Sequence, residues 1–334
     1  MKTNPLFTLV ESYFSDHLPK VRGASANTIE AYRDAITLFI RFVADRRGVQ
    51  VSKLQLSHLD ERTVSAFLTH LEQHRHNGTR TRNCRRIALR GFFQHALRLD
   101  PTQATQYARI LAIPAKRCAP TVPRYLEPNQ MRNLLAQPDR HRPTGLRDYA
   151  LLLFLYNTGA RISEALGCRF RDIQMHPPQV RLHGKGGKDR FCPLWPATME
   201  ALRHIHSKID TADQSSPVFL SNRAAPLSRH GAQYILSRHA HAAAALDPTF
   251  PVRISPHVLR HSCACALLQG GVDLTVIRDY LGHASITTTS RYASANLKMK
   301  KDALERFWSR AGLAPQRIRP WRPSKSLLSF LADL

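Results

Sequence analysis

The sequence predicts a mostly α-helical protein with a small antiparallel β region, built as an N-terminal helical bundle followed by a larger α+β domain. Three observations carry this. Apolar residues recur at the helical period through most of the first hundred residues. Periodicity then stops in "IPAKRCAPTVPRYLEP", residues 113–128, where four prolines fall in sixteen positions. Beyond it, "QVRLHGKGGKDRFCPL" has strand-like arms around Gly186-Gly187, a hairpin signal. A chain of 334 residues is long enough for two ordinary cores. The expected division is a helical domain over 1–112, a linker over 113–124, a second domain over 125–313 and a tail over 314–334.

Each element has its own reason. "VESYFSDHL" opens the bundle as a short apolar helix. In "SANTIEAYRDAITLFIRFVADRRG", Ser25 or Asn27 is a capping candidate and Gly48 a stop, with Ile29, Tyr32, Ile36, Phe39, Ile40 and Val43 forming one stripe. "LDERTVSAFLTHLEQH" repeats the pattern, with Asp60 as cap and Val64, Phe67, Leu68 and Leu71 facing inward. In "TRTRNCRRIALRGFFQHALRLDP", Ile87, Phe92, Ala96 and Leu97 are expected on the core side. Arg80, Arg82, Arg85, Arg86 and Arg90 fall on the other side, with no acidic residue at i±4 to offset them. The sum is a four- or five-helix bundle with a basic face suited to phosphate contact. After the linker, helices are expected in "EPNQMRNLLAQ" and through "GLRDYALLLFLYNTGARISEALG". They resume after the hairpin in "SRHGAQYILSRHAHAAAA", "SPHVLRHSCACALLQGG" and "DLTVIRDYLGH". Ser255-Pro256 reads as a cap followed by proline at the first helical position. The tail, "QRIRPWRPSKSLLSFLADL", is basic, then proline-broken, then apolar.

The charge points to a partner. Lys+Arg number 49 against 24 Asp+Glu, a formal +25. The excess is shared, with 19 basic and 9 acidic side chains over residues 1–117, and 30 and 15 over 118–334. Both halves are therefore expected to meet a polyanion. Anionic membrane is the competing partner, but no segment approaches 18 apolar residues. The start, "MKTNPLFTLVESYF", lacks the apolar stretch and cleavage site of a signal peptide. Cysteines 84, 118, 168, 192, 263 and 265 are scattered, with no CxxC pair, and are read as reduced thiols in a cytoplasmic protein. Neither they nor the 17 histidines show metal-ligand spacing, so no metal or other cofactor is expected.

Four short stretches carry chemistry. In "LYNTGARISEAL", Arg161 follows a Thr-Gly-Ala turn and starts a helix, where its guanidinium fork suits a phosphate. "HGKGGKDR" sets Lys185 and Lys188 at a hairpin tip. "SPHVLRHS" puts His257 and Arg260 on one helix face, offering a titratable imidazole and a fixed cation to one anion. "LGHASITTTSRY" adds His283 and, nine residues on, Tyr292. Each alone is commonplace: a surface arginine, a solvated turn lysine, a polar helix face, a rim tyrosine. In this order, each in its own context, they resemble the tyrosine site-specific recombinase (phage integrase) family.

That resemblance implies a helical core-binding domain, a linker and an α+β catalytic domain acting on double-stranded DNA. It implies that Arg161 and Arg260 clamp the scissile phosphate and that Lys185 protonates the leaving 5′-oxygen, with Lys188 the alternative acid. His257 would exchange a proton with the tyrosine, His283 would donate a hydrogen bond to the phosphate, and Tyr292 would attack to leave a 3′-phosphotyrosine. Glu164 is expected to orient one of these basic groups. Four protomers on two duplexes would be coupled by the apolar tail, Leu327 to Leu334, docked on a neighbouring protomer, the alternative being a helix folded back on its own domain; integration, transposition or another DNA recombination would be the outcome. Other recombinases or accessory proteins are further candidate partners. The rival readings are topoisomerase-like relaxation of one duplex, a DNA-binding regulator that does not cut, and, more distantly, a metal-dependent nuclease.

Overall fold

The structure is a computed structural model that describes residues 4–118, 123–184, 187–207 and 214–282. The described residues are mostly helical, with one small sheet, and the contacts separate two compact units, Met1–Pro120 and Thr121–Leu334.

The first unit is a bundle of five α-helices. α1 (Pro5–Ser12) starts where the Asn4 side chain accepts the Leu6 N–H, and runs into wide π-helical turns over Tyr13–Val21 that accommodate Pro19. α2 (Ala26–Arg47) takes Ser25 as its N-cap residue and stops at Gly48, whose φ of 64° is the left-handed conformation glycine adopts without strain. α3 (Glu61–Gln73) is capped by Asp60, whose carboxylate accepts the Thr63 N–H at 2.7 Å, a contact worth about 1 kcal/mol. α4 (Thr79–Leu99) and α5 (Ala104–Ala112) complete it. The core is aromatic: Tyr13, Phe39, Phe67, Phe92, Phe93 and Tyr107 are fully buried among the leucines of α3 and α4.

One facing in α4 differs from expectation. Ile87 is 50 % exposed, and Ala88, Leu89, Phe92, Phe93 and Ala96 make the core stripe. The adjacent pair Phe92-Phe93 explains this. Burying both rings turns the helix so that Leu89 and Ala96, on their i±3 and i±4 rows, face inward, and Ile87 is rotated out. α5 was not read from the sequence at all. Its nine residues "ATQYARILA" are anchored by Tyr107 and Ile110, too few apolar positions to announce a period.

The second unit is assembled around α7 (Pro143–Thr158), preceded by α6 (Pro128–Leu135). α7 is buried on every side from Ala150 to Leu155, as expected of a helix apolar all round. α8 (Ile162–Gly167) follows at once, then a three-stranded antiparallel sheet of β1 (Ile173–Gln174), β2 (Gln179–His183) and β3 (Asp189–Pro193) in the order β1-β2-β3. His183 pairs with Asp189 at the mouth of the β2–β3 hairpin, where the Gly184 N–H donates to the Lys188 carbonyl. α9 (Pro196–His206), the second helix not read from the sequence, packs on α7. α10 (Arg229–Leu246), α11 (Pro256–Gln269) and α12 (Leu274–Leu281) are the last elements among the described residues, α11 lying against both α7 and α12. Ser255 is the N-cap residue of α11 and Pro256 its first helical residue, although the serine side chain makes no capping hydrogen bond. All six cysteines are free thiols; Cys168, Cys192, Cys263 and Cys265 are buried as apolar filler.

Candidate active site

Arg161 is aimed by a sharp chain reversal. α7 ends at Thr158, and Gly159 takes a φ of 57°. A Cβ there would fall 2.3 Å from the Leu281 Cδ2, so the position needs glycine for its conformation and for the close approach of α12. Two residues on, Arg161 caps α8 in an extended conformation, and Glu164 reaches back to it. The Arg161 N–H donates to Glu164 Oε2 at 2.8 Å, and Arg161 Nη1 donates to Glu164 Oε1 at 2.6 Å. One carboxylate thus fixes both ends of the arginine.

Glu164 is itself buried, and takes a second guanidinium: Arg190 Nη2 donates to its Oε2 at 2.8 Å. Burial alone would raise the Glu164 pKa. The hydrogen bond and charge of Arg190, then the two hydrogen bonds from Arg161, override that penalty and hold the carboxyl below its ordinary value. Sequence reasoning missed Arg190. A signal was present: Arg190 and Cys192 alternate along β3 and Leu194 continues the row just past its end, placing an arginine on the face that is otherwise apolar.

The third guanidinium belongs to α11. Arg260 is 4 % exposed, with Nη1 donating to the Gly159 carbonyl and Nη2 to the Leu281 carbonyl, both at 2.6 Å. His257 stands one turn earlier, at the open start of α11. Partial burial of its ring, then the charges of Arg260 and Arg161, push its pKa down, so the imidazole is neutral at pH 7 and able to accept a proton. His261, deeper in the same helix, is driven to about 4 by burial and by the neighbouring His257 and Arg260.

The three guanidinium groups meet at the C-terminal end of α12. Arg190 Nε donates to the Tyr280 carbonyl at 2.9 Å, Arg260 Nη2 to that of Leu281, and Arg161 Nη2 to that of Gly282 at 3.3 Å. Three successive carbonyls at the end that carries the negative pole of the helix dipole each receive a guanidinium. Three fixed positive charges against one carboxylate leave the cluster cationic, and His283 is the next residue in the chain.

The β2–β3 hairpin approaches the same carboxylate. A Cβ on Gly184 would lie 3.9 Å from Glu164 Oε1 and only 2.6 Å from the Lys188 carbonyl, so the connection turns tightly there. At its base, His183 Nδ1 lies 2.8 Å from Asp189 and its Nε2 3.4 Å from the buried Asp172. The Asp189 hydrogen bond, partly opposed by desolvation and aided by Asp172, raises the His183 pKa. Lys188 is exposed beside this clamp. Lys185, His283, Tyr292 and the tail lie outside the described residues.

In the first unit, Arg80 and Arg90 are exposed, while Arg82, Arg85 and Arg86 are partly buried. Arg86 Nε donates to the Ile113 carbonyl at 2.7 Å, Arg90 Nη1 donates to the Leu111 carbonyl, and Arg82 pairs with Glu72 of α3 at 3.8 Å. The sequence showed no acid at i±4 because Glu72 comes from another helix. Among the described residues no group of His, Cys, Asp and Glu side chains could hold a metal ion, and no helix is long and apolar enough to cross a membrane.

Comparison with known proteins decides the family. Residues 124–299 match the phage integrase family, and residues 11–99 match its N-terminal SAM-like domain. The chain belongs to the phage integrase family. Among relatives of this family, the Sinorhizobium fredii protein y4rC, an integrase/recombinase by its name, is 37 % identical over 331 residues, 98 % of each chain. Tyrosine recombinase XerC of Pelobacter propionicus is 32 % identical over 284 residues, 85 % of this chain and 90 % of that one. The fold is shared with XerH recombinase in a post-cleavage complex with its palindromic difH substrate (TM-score 0.66, 20 % identity, 92 % of this chain and 90 % of that one). It is also shared with a lambda integrase dimer bound to a core site (TM-score 0.65, 17 % identity, 87 % and 96 %).

Proposed function

We propose that this member of the family is a site-specific DNA recombinase of the integrase or transposase type, which cuts and rejoins strands through a 3′-phosphotyrosyl intermediate on Tyr292. The observation that carries the reading is the convergence of Arg161 and Arg260 on the last carbonyls of α12, one residue before His283, with the charges of both arginines acting on His257.

Arg161 and Arg260 would neutralise the nonbridging oxygens of the scissile phosphate, where charge grows as phosphorus becomes five-coordinate. Tyr292 forms the new O–P bond and passes its proton to neutral His257. The bond to the 5′-oxygen breaks as Lys185 supplies a proton to it, and His283 donates a hydrogen bond to the phosphoryl group. A phenol, with an ordinary pKa of about 10, gains from nearby cations that favour phenolate. Because the tyrosyl ester keeps the phosphodiester's energy, a 5′-hydroxyl from a second duplex reverses the step without ATP or a metal ion. The +25 net charge supports double-stranded DNA as substrate. We assign residues 1–112 to core binding, with Arg80, Arg82, Arg85, Arg86 and Arg90 toward the phosphates, and 125–313 to catalysis. The tail over 314–334 would dock on a neighbouring protomer, in a tetramer holding two sites in the cytoplasm.

Two distinguishable duplexes carrying the target site, incubated with the protein, test the reading. Recombinant strands joining the two support it. Relaxed plasmid without joint strands would assign a topoisomerase-like activity, and binding without either product a regulator.

A further inference from the structure

We infer that Arg190 is a positioning residue of the cleavage site, linking the carboxylate that holds Arg161 to the end of the helix from which the chain continues to His283 and Tyr292. The inference rests on the recombinase reading above and names a part of the site outside its six polar residues.

Arg190 stands on β3, the strand that leaves the connection carrying Lys185, and only 10 % of its side chain is exposed. Its planar fork spans two acceptors in different elements: Glu164 Oε2 of α8 at 2.8 Å through Nη2, and the Tyr280 carbonyl of α12 at 2.9 Å through Nε. It also packs on the chain's exit from α12, since a Cβ on Gly282 would lie 3.2 Å from the Arg190 Cδ. Gly282 has a φ of 63°, so the chain turns against this side chain at the residue before His283. Glu164 in turn fixes Arg161 by two hydrogen bonds. One guanidinium therefore sets the spacing between Arg161 and the start of the segment bearing His283 and Tyr292. A lysine would keep the charge, but its single ammonium cannot reach both acceptors in the geometry of the fork.

The test compares the full-length wild type with Arg190→Lys and Glu164→Gln, singly and together. In the DNA-free proteins, hydrogen exchange should quicken in α8 and in the last turn of α12 on Arg190→Lys, with α9 and α10 unchanged. In single turnover on a nicked substrate carrying the target site, the first-order constant for covalent adduct formation should fall about 100-fold, the cost expected of a displacement near 1 Å. The affinity for that DNA should change less than about threefold. A merely structural role would lower the amplitude, which follows the folded fraction, and leave the constant alone. The double variant should be no slower than the slower single one, because Arg190 acts through Glu164. A wild-type constant in Arg190→Lys, or exchange unchanged in α8 and α12, overturns the inference while the recombinase reading stands. Should the wild type form no adduct at all, that reading fails instead, and the exchange comparison decides the coupling by itself.

Discussion

Glu164→Gln is the sharpest perturbation of the site, since it changes one charge and almost no volume. The carboxylate accepts three N–H groups, from the Arg161 backbone, Arg161 Nη1 and Arg190 Nη2, while its own side chain is 4 % exposed. A glutamine has one acceptor oxygen. Turned to serve the Arg161 backbone and Arg190, its amide NH2 faces Arg161 Nη1; turned the other way, it faces two donors. Breaking a buried pair from one side costs about 3–5 kcal/mol, and the retained oxygen, with Arg161 partly in water, brings this to about 2–3 kcal/mol. For a unit of this size that is a fall in Tm of about 5–10 °C. Trp195 lies in the second unit and residues 1–120 hold no tryptophan, so tryptophan fluorescence in urea leaves the bundle silent and follows the unfolding of the second unit. The pH dependence supplies a second check. Glu164 has a folded pKa below its ordinary 4.5, so its contribution is fully present above 4.5 and is lost as pH falls through the folded value. The gap between wild type and variant should therefore be constant from pH 5 to 8 and should close on further acidification. Coincident urea midpoints at pH 7, or a gap that survives in acid, would refute the reasoning.

Other perturbations have outcomes as definite. Tyr292→Phe should bind DNA as the wild type does in a gel shift and form no covalent adduct in denaturing electrophoresis. Because His257 is held below its ordinary 6.5, adduct formation should stay level as pH falls through 6.5 and decline only in more acid buffer. A decline centred at 6.5 would remove His257 from the proton path. In the bundle, Phe92→Ala should cost about 3–5 kcal/mol, whereas Ile87→Ser, at an exposed position, should stay within about 0.5 kcal/mol of wild type by circular dichroism in urea. Equal losses at the two positions would restore Ile87 to the core.

How much of this was legible in the sequence depends on whether the determining interaction was local. The Asp60 cap, the Gly48 stop, Pro256 at the start of α11 and the β2–β3 hairpin are fixed by neighbours within a few residues, and sequence reasoning found all four. Ile87 was misplaced because i±3 spacing permits more than one stripe through "IALRGFFQHAL"; the bulk of Phe92 and Phe93 selects among them only when the other helices are present. α5 and α9 were overlooked because their apolar positions are few and their burial comes from partners distant in sequence. The site divides in the same way. Glu164 was expected, through the family resemblance, to orient one of the basic groups, and the partner it holds most firmly, Arg161, is three residues away. Arg190 joins residues 26 and 90 positions away, and no window on the sequence contains both.

The claim that matters most is metal-free attack by a tyrosine on DNA. Wild-type protein and Tyr292→Phe should each be incubated with sheared genomic DNA from the source organism in excess chelator, denatured, and freed of all DNA not covalently attached. Sequencing the retained fragments should give one shared site in the wild-type sample, each fragment joined to protein through a 3′-phosphotyrosine, and nothing in the variant. Equal recovery from both proteins, or wild-type cleavage that appears only when a divalent metal is restored, would contradict the account.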